Sequence, residues 1–121
     1  MVPLKAIILF GHGSRDPLWR QPIDAVAARI CAQQPDTPVR CAFLELQQPD
    51  LAQAATDLAL AGASHITVVP MFLGTGRHAR EDLPVLLDAV KRAHPGIQFS
   101  LQPAVGEDQR LLDLLAKIAM A

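Results

Sequence analysis

The apolar positions of this 121-residue sequence fall into two alternating patterns. Leu4 to Gly11 is an almost unbroken apolar run closed by glycine, as expected of a strand buried on both faces of a parallel sheet. Similar runs follow at Val39 to Leu44 and Ile66 to Leu73, with a weaker one at Ile97 to Leu101. Between them, Ile23, Val26, Ala27 and Ile30 recur at the spacing that lines one side of an α-helix. Leu51, Ala54, Ala55 and Leu58 repeat it, as do Leu83, Leu86, Leu87 and Val90, and then Leu111, Leu114, Leu115 and Ile118. The punctuation agrees. Asp50 stands where a helix N-cap belongs, Gly62 where a helix-ending glycine belongs, and His94-Pro95-Gly96 stops the third helix. The first helix has two candidate starts, Asp16-Pro17 and Gln21-Pro22, because proline is tolerated in a first turn.

Strands alternating with helices of this length predict βαβ units with right-handed crossovers. The expected fold is therefore α/β: a single doubly wound domain over residues 1–121, with a four-stranded parallel sheet in the order 2-1-3-4 and helices on both faces. In such sheets ligands bind beyond the carboxyl ends of the strands, at the switch between the first and third.

Composition narrows the function. Half the residues are hydrophobic and 19% are charged, which favours a packed core over disorder. A net charge of −1 provides no global basic field for nucleic acid, and four Phe, one Trp and no Tyr offer few stacking platforms. The segment Met1 to Lys5 carries no basic leader, and the apolar run after it is too short for a membrane span. We expect a cytoplasmic protein with no nucleic-acid or membrane partner. Cys31 and Cys41 form no CxxC pair and read as buried free thiols.

Chemistry gathers at the predicted ligand edge. His12, between Gly11 and Gly13, follows the first strand, and flanking glycines allow close approach of backbone to a ligand. Glu45 follows the second strand, and His78 lies beyond the third in the loop Leu73-Gly74-Thr75-Gly76-Arg77-His78. His12, Glu45 and His78 are spaced 33 residues apart, which suggests similar heights above adjacent strands. Two imidazoles and a carboxylate with open positions suit a divalent first-row metal. His65 and His94 read as structural, the first opening a strand and the second at a helix C-terminus. Arg15, Arg20, Arg77 and Arg80 cluster near the same loops, where a polyanionic ligand could meet them. The Gly11 to Arg15 loop also resembles a phosphate cradle, but neither GxxxxGK[ST] nor GxGxxG is present, and no GxSxG elbow supports Ser14 as a nucleophile.

Three stretches together resemble the sirohydrochlorin chelatases, small ATP-independent members of the class II tetrapyrrole chelatases. They are Phe10-Gly11-His12-Gly13-Ser14-Arg15-Asp16-Pro17, Phe43-Leu44-Glu45-Leu46 with Pro49, and Val69 to His78 followed by Asp82-Leu83-Pro84. The resemblance spans essentially the whole chain. It implies insertion of Co²⁺, or alternatively Fe²⁺ or Ni²⁺, into sirohydrochlorin on the way to cobalamin or sirohaem, with the metal as substrate and no tightly bound cofactor. It places His12, Glu45 and His78 as metal-binding and catalytic residues. It also implies that Arg15, Glu45, Leu73, Gly74, Thr75, Gly76, Arg77, His78 and Arg80 meet the tetrapyrrole. Longer family members carry two such domains around a cleft, so the resemblance further implies a homodimer. A metal or tetrapyrrole carrier without turnover is the alternative.

Overall fold

The computed structural model describes residues 3–121; Met1 and Val2, part of the N-terminal segment read above, lie outside them. Four strands, β1 (Lys5–Gly11), β2 (Val39–Phe43), β3 (His65–Pro70) and β4 (Gln98–Leu101), form one parallel sheet in the order β2-β1-β3-β4. They alternate with α1 (Gln21–Gln33), α2 (Leu51–Leu60), α3 (Arg77–Ala93) and α4 (Gln109–Met120). Both candidate starts of the first helix are used. Asp16 caps a 3-10 turn at Pro17–Arg20 by accepting from the Leu18 amide, and α1 begins directly after it with Pro22 in its first turn.

The two faces bury different helices. Ala6, Ile8, Phe10, Ala42, Ile66 and Val68 point toward α2 and α3, whose stripes Leu51, Ala54, Ala55, Leu58 and Leu83, Leu87, Val90 close the larger core. Ile8, Phe10, Leu58, Ile66 and Val68 are almost wholly excluded from water, each worth about 1.5–3 kcal/mol of burial. The opposite face packs Leu9, Val39 and Phe43 against Ile23, Val26, Ala27 and Ile30 of α1. Asp50 caps α2 through the Gln53 amide at 2.8 Å, Gly62 follows that helix with φ +94°, and His94 ends α3. His65 bonds the Ser100 hydroxyl across β3 and β4 at 2.8 Å, the structural part expected of it.

Two expectations are corrected. Cys31 is exposed on α1, and Cys41, on the α1-covered face of the edge strand β2 together with Val39 and Phe43, is only half-buried. Burial pushes the Cys41 thiol up to about 11. A maleimide at neutral pH is therefore expected to label Cys31 in the folded protein and Cys41 only after denaturation, a difference read by intact mass. The second correction concerns α4. Its apolar stripe, expected against the sheet, instead faces outward, with Leu114, Leu115 and Ile118 all exposed. The helix meets a preceding 3-10 turn, Val105–Glu107, and makes no substantial contact with the strands. Asp108 caps α4 through the Arg110 amide, and the Arg110 guanidinium holds its carboxyl down at about 2. Because that value is depressed, the cap is fully ionised above the ordinary carboxylate range and is lost only as pH falls toward 2.

Candidate active site

The carboxyl edge is built by continuing the strand ladder into the loops. Beyond the Gly11–Phe43 pair of β1 and β2, the Leu44 amide donates to the Gly11 carbonyl and the Glu45 amide to the His12 carbonyl, at 2.9 and 3.1 Å. This zipped exit brings the two side chains together, with His12 Nε2 and Glu45 Oε1 3.0 Å apart. Both are about half exposed, 45% and 48%, so the pair is anchored below and open above. A carboxylate only accepts, so it selects the tautomer with the proton on Nε2 and leaves the lone pair on Nδ1.

The loop carrying Glu45 is held by many small constraints. The Phe43 amide donates to the Pro49 carbonyl, the Arg20 guanidinium to the Gln48 carbonyl, and the Gln47 side-chain amide to the Asp16 carbonyl. Leu46, directly after the carboxylate, stands at φ +67°, a conformation that a residue with a Cβ keeps only when its surroundings impose it. Arg20 also pairs with Asp24 at 3.0 Å and stacks over the Phe43 ring at 4.5 Å. Arg20 is therefore engaged in holding this loop, and it leaves the group of arginines available to a ligand.

The glycines beside His12 serve packing more than ligand approach. A Cβ on Gly13 would lie 1.8 Å from the Glu45 carbonyl oxygen, and Gly13 has φ +98°. A Cβ on Gly11 would meet the Ile23 side chain at 2.6 Å. Gly74 and Gly76 have open space around them and so keep the property first expected of Gly11 and Gly13.

His78 does not join His12 and Glu45. It lies in the first turn of α3, beyond the loop, and its Nε2 pairs with Asp82 Oδ2 at 2.8 Å, one helical turn on. The cause is register. The ladder that pairs Phe10 with Pro70 carries His12 to the level of Phe72, and His78 is six residues further along the chain. Equal sequence spacing is therefore not equal height. No group of three His, Cys, Asp or Glu side chains poised around one ion occurs among the described residues. Asp82 is the site neighbour that sequence reasoning left without a role, and its signal was the four-residue spacing from His78.

The remaining candidates spread along the β3–α3 connection. Arg77 pairs with Glu81 at 3.0 Å, Arg80 reaches the Thr75 carbonyl at 3.3 Å, and Arg15 is exposed beyond β1. Leu73 is 66% exposed, and Leu18 and Leu46 are also exposed in the loops after β1 and β2. A groove of about 520 Å³ opens beyond β3 and β4, walled by Leu73, Thr75, Arg80, Leu101 and Glu107 but by none of His12, Glu45 or His78. The base of the connection is fixed from behind. The Gly106 amide donates to the Phe72 carbonyl at 2.9 Å, and a Cβ there would stand 1.7 Å from the Leu73 carbonyl oxygen.

Known proteins resemble this chain in sequence and fold over nearly its full length. The chain is 30% identical to the sirohydrochlorin cobaltochelatase of Methanococcoides burtonii, across 94% of this chain and 93% of that one. It is 33% identical to the sirohydrochlorin ferrochelatase of Bacillus subtilis, across 89% of this chain but only 41% of that one. Among solved structures, the Marinobacter aquaeolei CbiX protein superposes with a TM-score of 0.83 at 28% identity, over 96% of this chain and 94% of that one. The sirohydrochlorin chelatase SirB of Bacillus subtilis in complex with cobalt gives 0.75 at 31% identity, over 94% of this chain and 49% of that one. Residues 6–119 match CbiX, so nearly all of the sheet, its helices and the His12–Glu45 edge fall inside the match, and the chain belongs to the CbiX family.

Proposed function

We propose that this chain is a sirohydrochlorin chelatase that inserts a divalent metal, Co²⁺ first and Fe²⁺ or Ni²⁺ as alternatives, without ATP. The observation that carries the reading is the half-exposed imidazole–carboxylate pair, 3.0 Å apart, at the ligand edge of a CbiX-family sheet. Relatives named for both cobalt and iron insertion, and a relative's structure in complex with cobalt, support the metal class.

Insertion forms bonds from the metal to the ring nitrogens, releases two pyrrole protons and sheds the metal's water ligands. A site for it needs a ligand that lets go, a proton acceptor and a surface that holds the ring. His12 supplies the first two in turn: its free nitrogen holds the incoming metal and, once the metal has passed to the ring, takes up one of the two pyrrole protons, while the other passes to solvent water. Glu45 orients the imidazole and stabilises it when protonated. His78 reaches the metal only by leaving Asp82, an exposed pair that costs little to break. Arg15, Arg77 and Arg80 meet the peripheral carboxylates of the tetrapyrrole. The open backbone of Gly74 and Gly76, with Leu73 and Thr75, lies against the ring. A second copy of the chain supplies the opposite wall of the cleft, making the working unit a homodimer.

Glu45→Gln tests the pair. It keeps the shape and removes the charge, so the insertion rate is expected to fall about 10- to 100-fold and its pH profile to change, as read by anaerobic absorbance spectroscopy of sirohydrochlorin with Co²⁺. An unchanged rate and profile would remove Glu45 from the chemistry.

A further inference from the structure

The chain turns sharply just after Glu45. The Gln47 amide donates to the Glu45 carbonyl, two residues back, at 2.8 Å, and Leu46 between them stands at φ +67°. A bond of that span around a positive φ is a γ-turn of the rare, strained hand. The turn fixes Glu45: its carbonyl lies against Gly13, and its carboxylate meets His12. The turn does not account for leucine. Glycine or asparagine adopts this backbone at less cost, and Leu46 is the one residue other than glycine with a positive φ among the described residues. Packing does not account for it either, because Leu46 is 54% exposed and joins neither core cluster. A lone exposed leucine is ordinary on a protein surface, but one that also holds a strained backbone beside a functional side chain is not.

The setting repeats on the neighbouring loops. Leu18 follows β1 on its 3-10 turn and is 64% exposed, and Leu73 follows β3 and is 66% exposed. Three uncovered leucines thus lie on the exits of three adjacent strands, at the edge that carries His12 and Glu45. The geometry points to Leu46 as a substrate-contact residue, whose side chain lies against the flat apolar face of the tetrapyrrole. The inference rests on the chelatase reading above and adds to it an apolar contact that sets affinity for the ring. Consecutive Cα atoms are about 3.8 Å apart, so a macrocycle that brings its nitrogens to His12 also reaches the residue beside Glu45. The charge of the substrate is confined to its rim, where Arg15, Arg77 and Arg80 serve, and its face offers nothing for a polar side chain to bond. Leucine at this turn therefore costs stability in the free protein and gains burial when the ring is bound.

Titration of the protein with metal-free sirohydrochlorin, followed by absorbance, tests this with Leu46→Asn and Leu46→Met. Asparagine suits the turn and lacks the apolar surface; methionine keeps the apolar surface. Leu46→Asn is expected to melt at or above the wild-type temperature, to keep the wild-type mass in solution, and to bind sirohydrochlorin about 10-fold more weakly. Leu46→Met is expected to bind within about twofold of the wild type. Stability and affinity moving in opposite directions is the signature of a side chain kept for the ligand. A Leu46→Asn variant that binds as tightly as the wild type overturns the contact and leaves the chelatase reading standing. A variant that melts well below the wild type or changes its mass in solution also overturns it, by placing the side chain in folding or in a contact between copies. A loss that Leu46→Met shares in full does the same, by tracing the effect to the turn. A wild type that binds no sirohydrochlorin overturns both readings.

Discussion

His12→Ala is expected to lower metal insertion by about 10²- to 10⁴-fold, the range that a positioned acid–base group contributes, while the melting temperature stays close to that of the wild type. The side chain is 45% exposed and projects from a loop beyond β1, so its loss removes little packing. Its partner Glu45 remains in place because backbone bonds and Arg20 hold that loop independently of the imidazole. Parallel measurements of turnover and thermal unfolding check this result. A folded variant with wild-type turnover would move the chemistry away from this edge.

Gly13→Ala is expected to have the opposite signature, with stability and activity falling together. The backbone at φ +98° disfavours any side chain, and the added methyl would collide with the Glu45 carbonyl 1.8 Å away. Strain of about 1–2 kcal/mol and a forced shift of about 1–3 kcal/mol together predict a loss of about 2–5 kcal/mol. For a chain of this size that lowers the melting temperature by on the order of 10 °C. The shift also parts the zipped exits of β1 and β2, so the His12–Glu45 hydrogen bond opens and insertion falls with it. Differential scanning fluorimetry and the insertion assay separate the two substitutions: one removes chemistry from an intact edge, and the other dismantles the edge.

The pattern of apolar positions was enough to recover the four strands and four helices, because burial on both faces leaves continuous runs and one-sided burial leaves stripes, and the doubly wound architecture they imply supplied the sheet order. Asp50 and Gly62 also marked their boundaries through local chemistry that needs no tertiary context. What the sequence could not supply was register. His12 and Glu45 meet because hydrogen bonds continue past the paired strands, whereas His78 is carried off by the loop and the first turn of α3. The stripe of α4 has the same periodicity as the buried ones, and periodicity alone cannot say whether its cover comes from the same chain. The thiols were misplaced because residue type alone does not fix burial: Cys31 falls on the exposed side of α1, and Cys41 lies on the edge strand β2.

The most direct measurement is multiple-turnover absorbance spectroscopy of sirohydrochlorin with Co²⁺, under anaerobic conditions, with the protein far below the tetrapyrrole in concentration and spontaneous insertion subtracted. A catalyst built on the His12–Glu45 edge converts many equivalents per chain at a rate proportional to protein. Conversion that shows no acceleration, or stops after one equivalent per site, would contradict the account and make the chain a metal or tetrapyrrole carrier.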